Sequence, residues 1–108
     1  MNKINHSMVY TLKSAVEYAE GSIVSKIIEK NEFGNITLFA FDKGQNLSEH
    51  TTPFNALVQI IEGKASIIIN RKENILNEGE IILMPANVVH AIEAPERFKM
   101  LLTMIKKQ

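Results

Sequence analysis

Residues 79–94 read Gly79-Glu80-Ile81-Ile82-Leu83-Met84-Pro85-Ala86-Asn87-Val88-Val89-His90-Ala91-Ile92-Glu93-Ala94. Two short β-rich runs, Glu80–Met84 and Val88–Glu93, flank the turn residues Pro85-Ala86-Asn87, and a glycine opens the segment. Brief apolar runs bounded by Gly, Pro and Asn predict buried strands joined by tight turns. Ile81-Ile82-Leu83-Met84 is apolar at every position, so this strand is expected to be covered on both faces, by a barrel interior and by another sheet or subunit.

The same punctuation extends in both directions. Turns are expected at Asn31-Glu32-Phe33-Gly34, Asp42-Lys43-Gly44, Glu62-Gly63-Lys64, Asn70–Asn74, Asn77-Glu78-Gly79 and Ala94-Pro95-Glu96. Each supplies a residue suited to positive or fixed φ. Between them lie further strand candidates at Ile23–Glu29, Asn35–Phe41, Ala56–Ile61, Ala65–Ile69 and Phe98–Ile105. Ile36, Leu38 and Ala40 alternate onto one face, whereas Ile67-Ile68-Ile69 is apolar on both. The 15 Ile and 6 Val outnumber the 8 Leu; branching at Cβ stiffens χ1 and favours a pleated surface over a helix. Ser14–Glu20 is the one helix candidate, and it is short. The fold class is therefore all-β, an antiparallel sandwich or barrel rather than βαβ units.

At 108 residues the chain is expected to be a single domain, 1–108, with one core. It has no cysteine, which excludes disulfides, thiolate metal sites, Fe–S clusters and thiol catalysis. Twelve basic residues balance twelve acidic ones, and each half of the chain is nearly neutral. With no basic face, neither nucleic acid nor an anionic membrane is an expected partner. The apolar runs are too short to span a bilayer and the first residues hold no apolar signal region, so a soluble cytoplasmic protein is expected.

Three histidines are present, His6, His50 and His90. Gly44 is followed by five residues and His50; Thr52 stands two later, Ala56 four after that, and Gly63 closes the segment. Gly79 is followed by five residues and Pro85, then Asn87 and, three later, His90. This resembles the paired motifs of the cupin superfamily. The first family motif runs glycine, five residues, His-x-His, three residues, glutamate, six residues, glycine. The second runs glycine, five residues, Pro-x-Gly, two residues, histidine, three residues, asparagine. Here motif one spans 44–63 and motif two 79–94, with both glycine frames, Pro85 and the outer histidines kept. Thr52 stands for histidine, Ala56 for glutamate, Asn87 for glycine and Ala94 for asparagine.

The resemblance implies a small jelly-roll β-barrel, commonly a homodimer, with a pocket in the barrel mouth. In typical cupins the motif side chains are three imidazoles and a carboxylate, a set that suits Fe, Mn, Ni, Cu or Zn. Alternation along a strand places His50 and Thr52 on one side, with His90 opposite. Two of the four expected ligands are missing here, so any metal on His50 and His90 is expected to be loosely held. Glu49 and Glu93 point away from their neighbouring histidines, and His6 reaches the site only if the N-terminal arm folds over the mouth. Gln59 is a further pocket candidate; Gln45 offers a second amide. Met84, Met100 and Met104 either fill the core or line an adaptable apolar pocket.

The expected function is small-molecule binding in the barrel mouth around His50, Thr52, His90 and Gln59, with a degenerate two-histidine site that is metal-free or weakly metal-binding. Two readings stand beside it. One is a metal-dependent oxygenase or isomerase using His50 and His90, or a metal-free variant with one imidazole as general acid or base. The other is a non-catalytic structural or interaction module whose mouth is filled.

Overall fold

A computed structural model describes residues 3–107. Eight strands follow in order: β1 (Ile23–Asn31), β2 (Gly34–Phe41), β3 (Asn46–His50), β4 (Phe54–Ile69), β5 (Lys72–Asn77), β6 (Ile81–Met84), β7 (His90–Glu93) and β8 (Phe98–Lys106). Every pairing is antiparallel. In the first sheet β1, β2, β8, the first half of β4 and β6 lie side by side. In the second, β3, β7, the second half of β4 and β5 do so. The two curl around one interior as a jelly-roll barrel.

Strand β4 belongs to both sheets, and this corrects the expected turn at Glu62-Gly63-Lys64. The two predicted strands on either side are one bent strand. A register shift against β8 falls between Ile60 and Glu62, and Gly63 follows at φ +85. A β-bulge bends and twists the strand that carries it. A Cβ at Gly63 would collide with the carbonyl oxygen of Arg97 and the Cα of Phe98, so glycine is required for the close approach as well as for the φ. The corner lets one chain segment feed two sheets without leaving the hydrogen-bonded ladder.

Three further elements differ from the sequence reading. Strand β5 occupies Lys72–Asn77, where turn residues predominate. Its register follows from the two-residue turn Asn70-Arg71, whose φ values of 49 and 66 are both positive, matching the twist of a tight hairpin. Strand β3 carries the polar sequence Asn46-Leu47-Ser48-Glu49-His50 and has no apolar run to announce it. The expected helix over Ser14–Glu20 does not form; only a 3-10 turn at Leu12–Ser14 is present. The segment lies instead as a strap across the outer face of the first sheet, where Val16 is 2% exposed against Leu38, Ala40 and Ile61. Its carbonyls are met by the sheet: Lys26 Nζ donates to Ala15 O and Lys99 Nζ to Lys13 O. Burying an apolar edge there outweighs a helix too short to repay its nucleation.

The main core fills the barrel. Phe41 and Phe98 stack with ring centroids 4.6 Å apart, surrounded by Val58, Ile60, Ala65, Ile67, Leu76, Ile92 and Met100. In β2 the predicted face of Leu38 and Ala40 meets the strap while Phe39 and Phe41 face the barrel, so the strand is covered on both sides by this chain. Strand β6 is not: Met84 is inside, but Ile81 and Leu83 are 61% and 62% exposed. Within one chain the outer side of β6 stays uncovered, and the expected second cover is left to another subunit.

Candidate functional site

The barrel mouth is built where the two sheets exchange chains. The connections 51–53, between β3 and β4, and 85–89, between β6 and β7, cross it side by side. They are tied together: Asn87 N–H donates to Thr52 O at 2.8 Å, Ala86 N–H to Asn55 Oδ1 at 2.9 Å, and Asn70 N–H to Val89 O at 2.8 Å. Asn87 has φ 64, the left-handed region that asparagine tolerates better than most residues with a side chain. This explains how it stands where the family motif has glycine. At the far end of the same motifs, Gly44 N–H donates to Ala94 O and Ala94 N–H to Gln45 O, at 2.8 and 3.0 Å.

This frame brings the two predicted histidines together. His50 on β3 is the register partner of His90 on β7. Their rings meet edge to face, with centroids 4.3 Å apart and planes at 66°. Each is held through Nδ1 by the carbonyl two residues back: His50 by Ser48 O at 2.7 Å, His90 by Val88 O at 3.3 Å. With Nδ1 donating to a carbonyl, the neutral ring keeps its lone pair on Nε2. His50 is open to solvent, whereas His90 is 5% exposed. Burial pulls the His90 pKa below its usual value; the Val88 carbonyl opposes the shift, and the neighbouring His50 adds to it.

A cavity of about 320 Å³ opens beside the pair. Thr52 and Ala56 line it with the two imidazoles, together with Met84, Met100 and Met104. Phe39, Leu47, Ile92 and Leu102 complete the apolar wall. His50, Thr52 and His90, the expected pocket residues, all line this cavity, and the methionines both line it and pack against the core. Phe39, Leu47, Ile92 and Leu102 are missed, although the period of two along β8 from Met100 to Met104 points to Leu102 on the same inward face.

Gln59 is a correction. On β4 the cavity is reached from Ala56, and Gln59 is an odd number of residues away, so its side chain emerges on the outer face beside Leu12, Lys13, Glu78 and Ile81. Gln45 sits at the opposite end of the motifs near Ser66, Glu73 and Glu93. Glu93 faces that outer surface too, and Glu49 lies 3.5 Å from Arg71 Nε, so both acids point away from the imidazoles as expected. His6 is exposed and 3.7 Å from Glu29 on β1; the arm does not close over the mouth.

A family model described as a cupin domain matches residues 37–106. The chain belongs to the cupins. Among solved structures, a conserved protein of unknown function from Streptococcus pyogenes is similar over the whole chain, at 35% identity, 97% of its own length and a TM-score of 0.92. A cupin 2 conserved barrel domain protein from Leptotrichia buccalis is 39% identical over 90% of this chain, which spans 47% of that one, with a TM-score of 0.87. A cupin superfamily protein from Desulfitobacterium hafniense is 26% identical over 98% of this chain and 97% of its own, with a TM-score of 0.90. No curated protein sequence matches.

The divalent metal centre typical of cupins does not fit the residues of this one. Among the described residues, no group of three His, Cys, Asp or Glu side chains is placed to hold an ion. Ala56 offers no donor in place of the carboxylate, and the Thr52 hydroxyl faces Phe54 N–H at 3.4 Å. Catalytic zinc takes three protein ligands and the facial iron triad requires a carboxylate; two neutral imidazoles satisfy neither.

Proposed function

We propose that this cupin binds a small, uncharged, mostly apolar molecule in its barrel mouth, with His50 and His90 as polar anchors rather than as ligands of a carboxylate-completed divalent metal. The observation that carries the reading is the composition of the cavity. About 320 Å³ is walled by apolar side chains, and its only strong polar atoms besides the Thr52 hydroxyl are two imidazole Nε2 lone pairs. Ligand sites of this kind take affinity from apolar burial and orientation from a few placed polar groups. Here the polar groups accept hydrogen bonds, so the complementary molecule carries an O–H or N–H donor. No charged residue lines the cavity among the described residues, and an ionic ligand would lose its hydration without recompense.

Phenol and indole, each neutral with one donor, serve as probes. Titration into tag-free protein labelled at the methionine methyls is expected to shift the Met84, Met100 and Met104 signals and leave Met8, on the exposed arm, in place. Ala56→Phe, which fills the cavity, is expected to abolish the shifts. Movement of Met8 alone, or equal shifts in the filled variant, would overturn the reading.

A further inference from the structure

We propose that the same cavity is a soft-metal site for Cu(I), held by Nε2 of His50 and His90 with the thioethers of Met84 and Met104. The inference rests on the reading of this cavity as a ligand site, and it starts from the missing glutamate. Ala56 occupies that motif position on β4, and its register partners are Met84 on β6 and Met104 on β8. All three line the cavity with His50 and His90. The space a carboxylate would fill is therefore bracketed, on both neighbouring strands, by sulfur.

Charge and softness choose the ion. Every donor in the set is neutral, and no carboxylate lines the cavity among the described residues. A divalent ion would bring two uncompensated charges into an apolar wall. A monovalent ion brings one, and thioether and imidazole donors together favour Cu(I) over the harder divalent metals, which seek oxygen. The rings are already set for it: each Nδ1 is engaged by a backbone carbonyl, the arrangement that fixes an imidazole for coordination through Nε2. Metal–imidazole bonds are about 2 Å, so one shared ion requires Nε2 atoms within about 4 Å, a span that ring centroids 4.3 Å apart permit. The methionines then have a chemical role beyond the volume they fill.

The test uses tag-free protein under anaerobic conditions, competing for Cu(I) against a chromophoric chelator, with Zn(II) titrated in parallel. One Cu(I) per chain is expected, with sulfur and nitrogen both in its X-ray absorption shell and no comparable retention of Zn(II). Met84→Leu with Met104→Leu, which keeps volume and apolarity, is expected to weaken Cu(I) by at least roughly tenfold. A shell without sulfur, Cu(I) affinity unchanged in the Leu variant, or Zn(II) bound as tightly as Cu(I) would overturn the proposal. Failure of Cu(I) with the phenol shifts preserved removes this inference alone; loss of both removes the cavity reading beneath it.

Discussion

The outer face of the first sheet and the barrel mouth both gather polar side chains, on opposite terms. Outside, the groups satisfy one another. Tyr18 O–H donates to Glu62 Oε2 at 2.6 Å, Lys99 Nζ lies 3.9 Å from the same carboxylate and bonds the Lys13 carbonyl, and the Arg97 guanidinium stacks 3.7 Å from the Tyr18 ring centroid. Burial, reinforced by Glu62, pushes the Tyr18 pKa well above its usual value, which keeps the phenol a hydrogen-bond donor. At the mouth two imidazoles face each other with no acid beside them and a cavity in front. A polar cluster that closes on itself holds the strap to the sheet; one left open is available to something else. The first arrangement is architecture and the second is the candidate site.

Three substitutions break or sharpen that contrast. Lys99→Met keeps the aliphatic stem but strips the ammonium from a residue 8% exposed, leaving Glu62 and the Lys13 carbonyl without it. A loss of about 2–3 kcal/mol is expected, read from urea denaturation, with the phenol response unchanged. A loss below about 0.5 kcal/mol would mean the strap holds by apolar contact alone.

His90→Leu works the other way. An apolar residue of similar reach suits the cavity wall, so stability near neutral pH is expected to stay within about 1 kcal/mol of the parent, while phenol binding falls. The pH profile sharpens this. Because burial depresses the folded pKa of His90 below its ordinary 6.5, the unfolded chain takes up its proton first as pH falls. The parent therefore holds the full His90 contribution above that value and loses it progressively below. Denaturation midpoints across acid pH are expected to fall less steeply in His90→Leu; an identical slope would show that the imidazole is not desolvated.

Glu93→Gln has the smallest expected effect. Glu93 precedes the motif's closing Ala94 yet faces the outer surface, so a change within about 0.5 kcal/mol and an unaltered phenol response are expected. Loss of the response would place this acid functionally at the mouth and undo the contrast.

Much of this was legible in the chain. Its Ile and Val bias and its turn residues specify strands, because branching at Cβ and the φ preferences of Gly, Asn and Pro act locally. The motif resemblance placed His50, Thr52 and His90 together, and alternation along a strand put His50 and Thr52 on one side. It placed Gln59 wrongly, although the same rule, counted from Ala56, sends that side chain outward. Strand β5 and the strap escaped because neither rests on local preference. Lys72–Asn77 is a strand because the Asn70-Arg71 turn folds it back on β4, and residues 15–20 form an irregular strap because a sheet face and two lysines receive the segment.

The sequence by itself determined an all-β chain and a motif frame that carries His50 and His90 with no carboxylate at Ala56. Only the tertiary structure decided what surrounds them. The approach of Met84 and Met104 to Ala56 depends on strands 20 or more residues apart meeting in register, and the bend at Gly63 depends on where β8 runs. Side-chain direction is set by the nearest neighbours in the chain; what a side chain meets is set by how distant strands pair and how the sheets close.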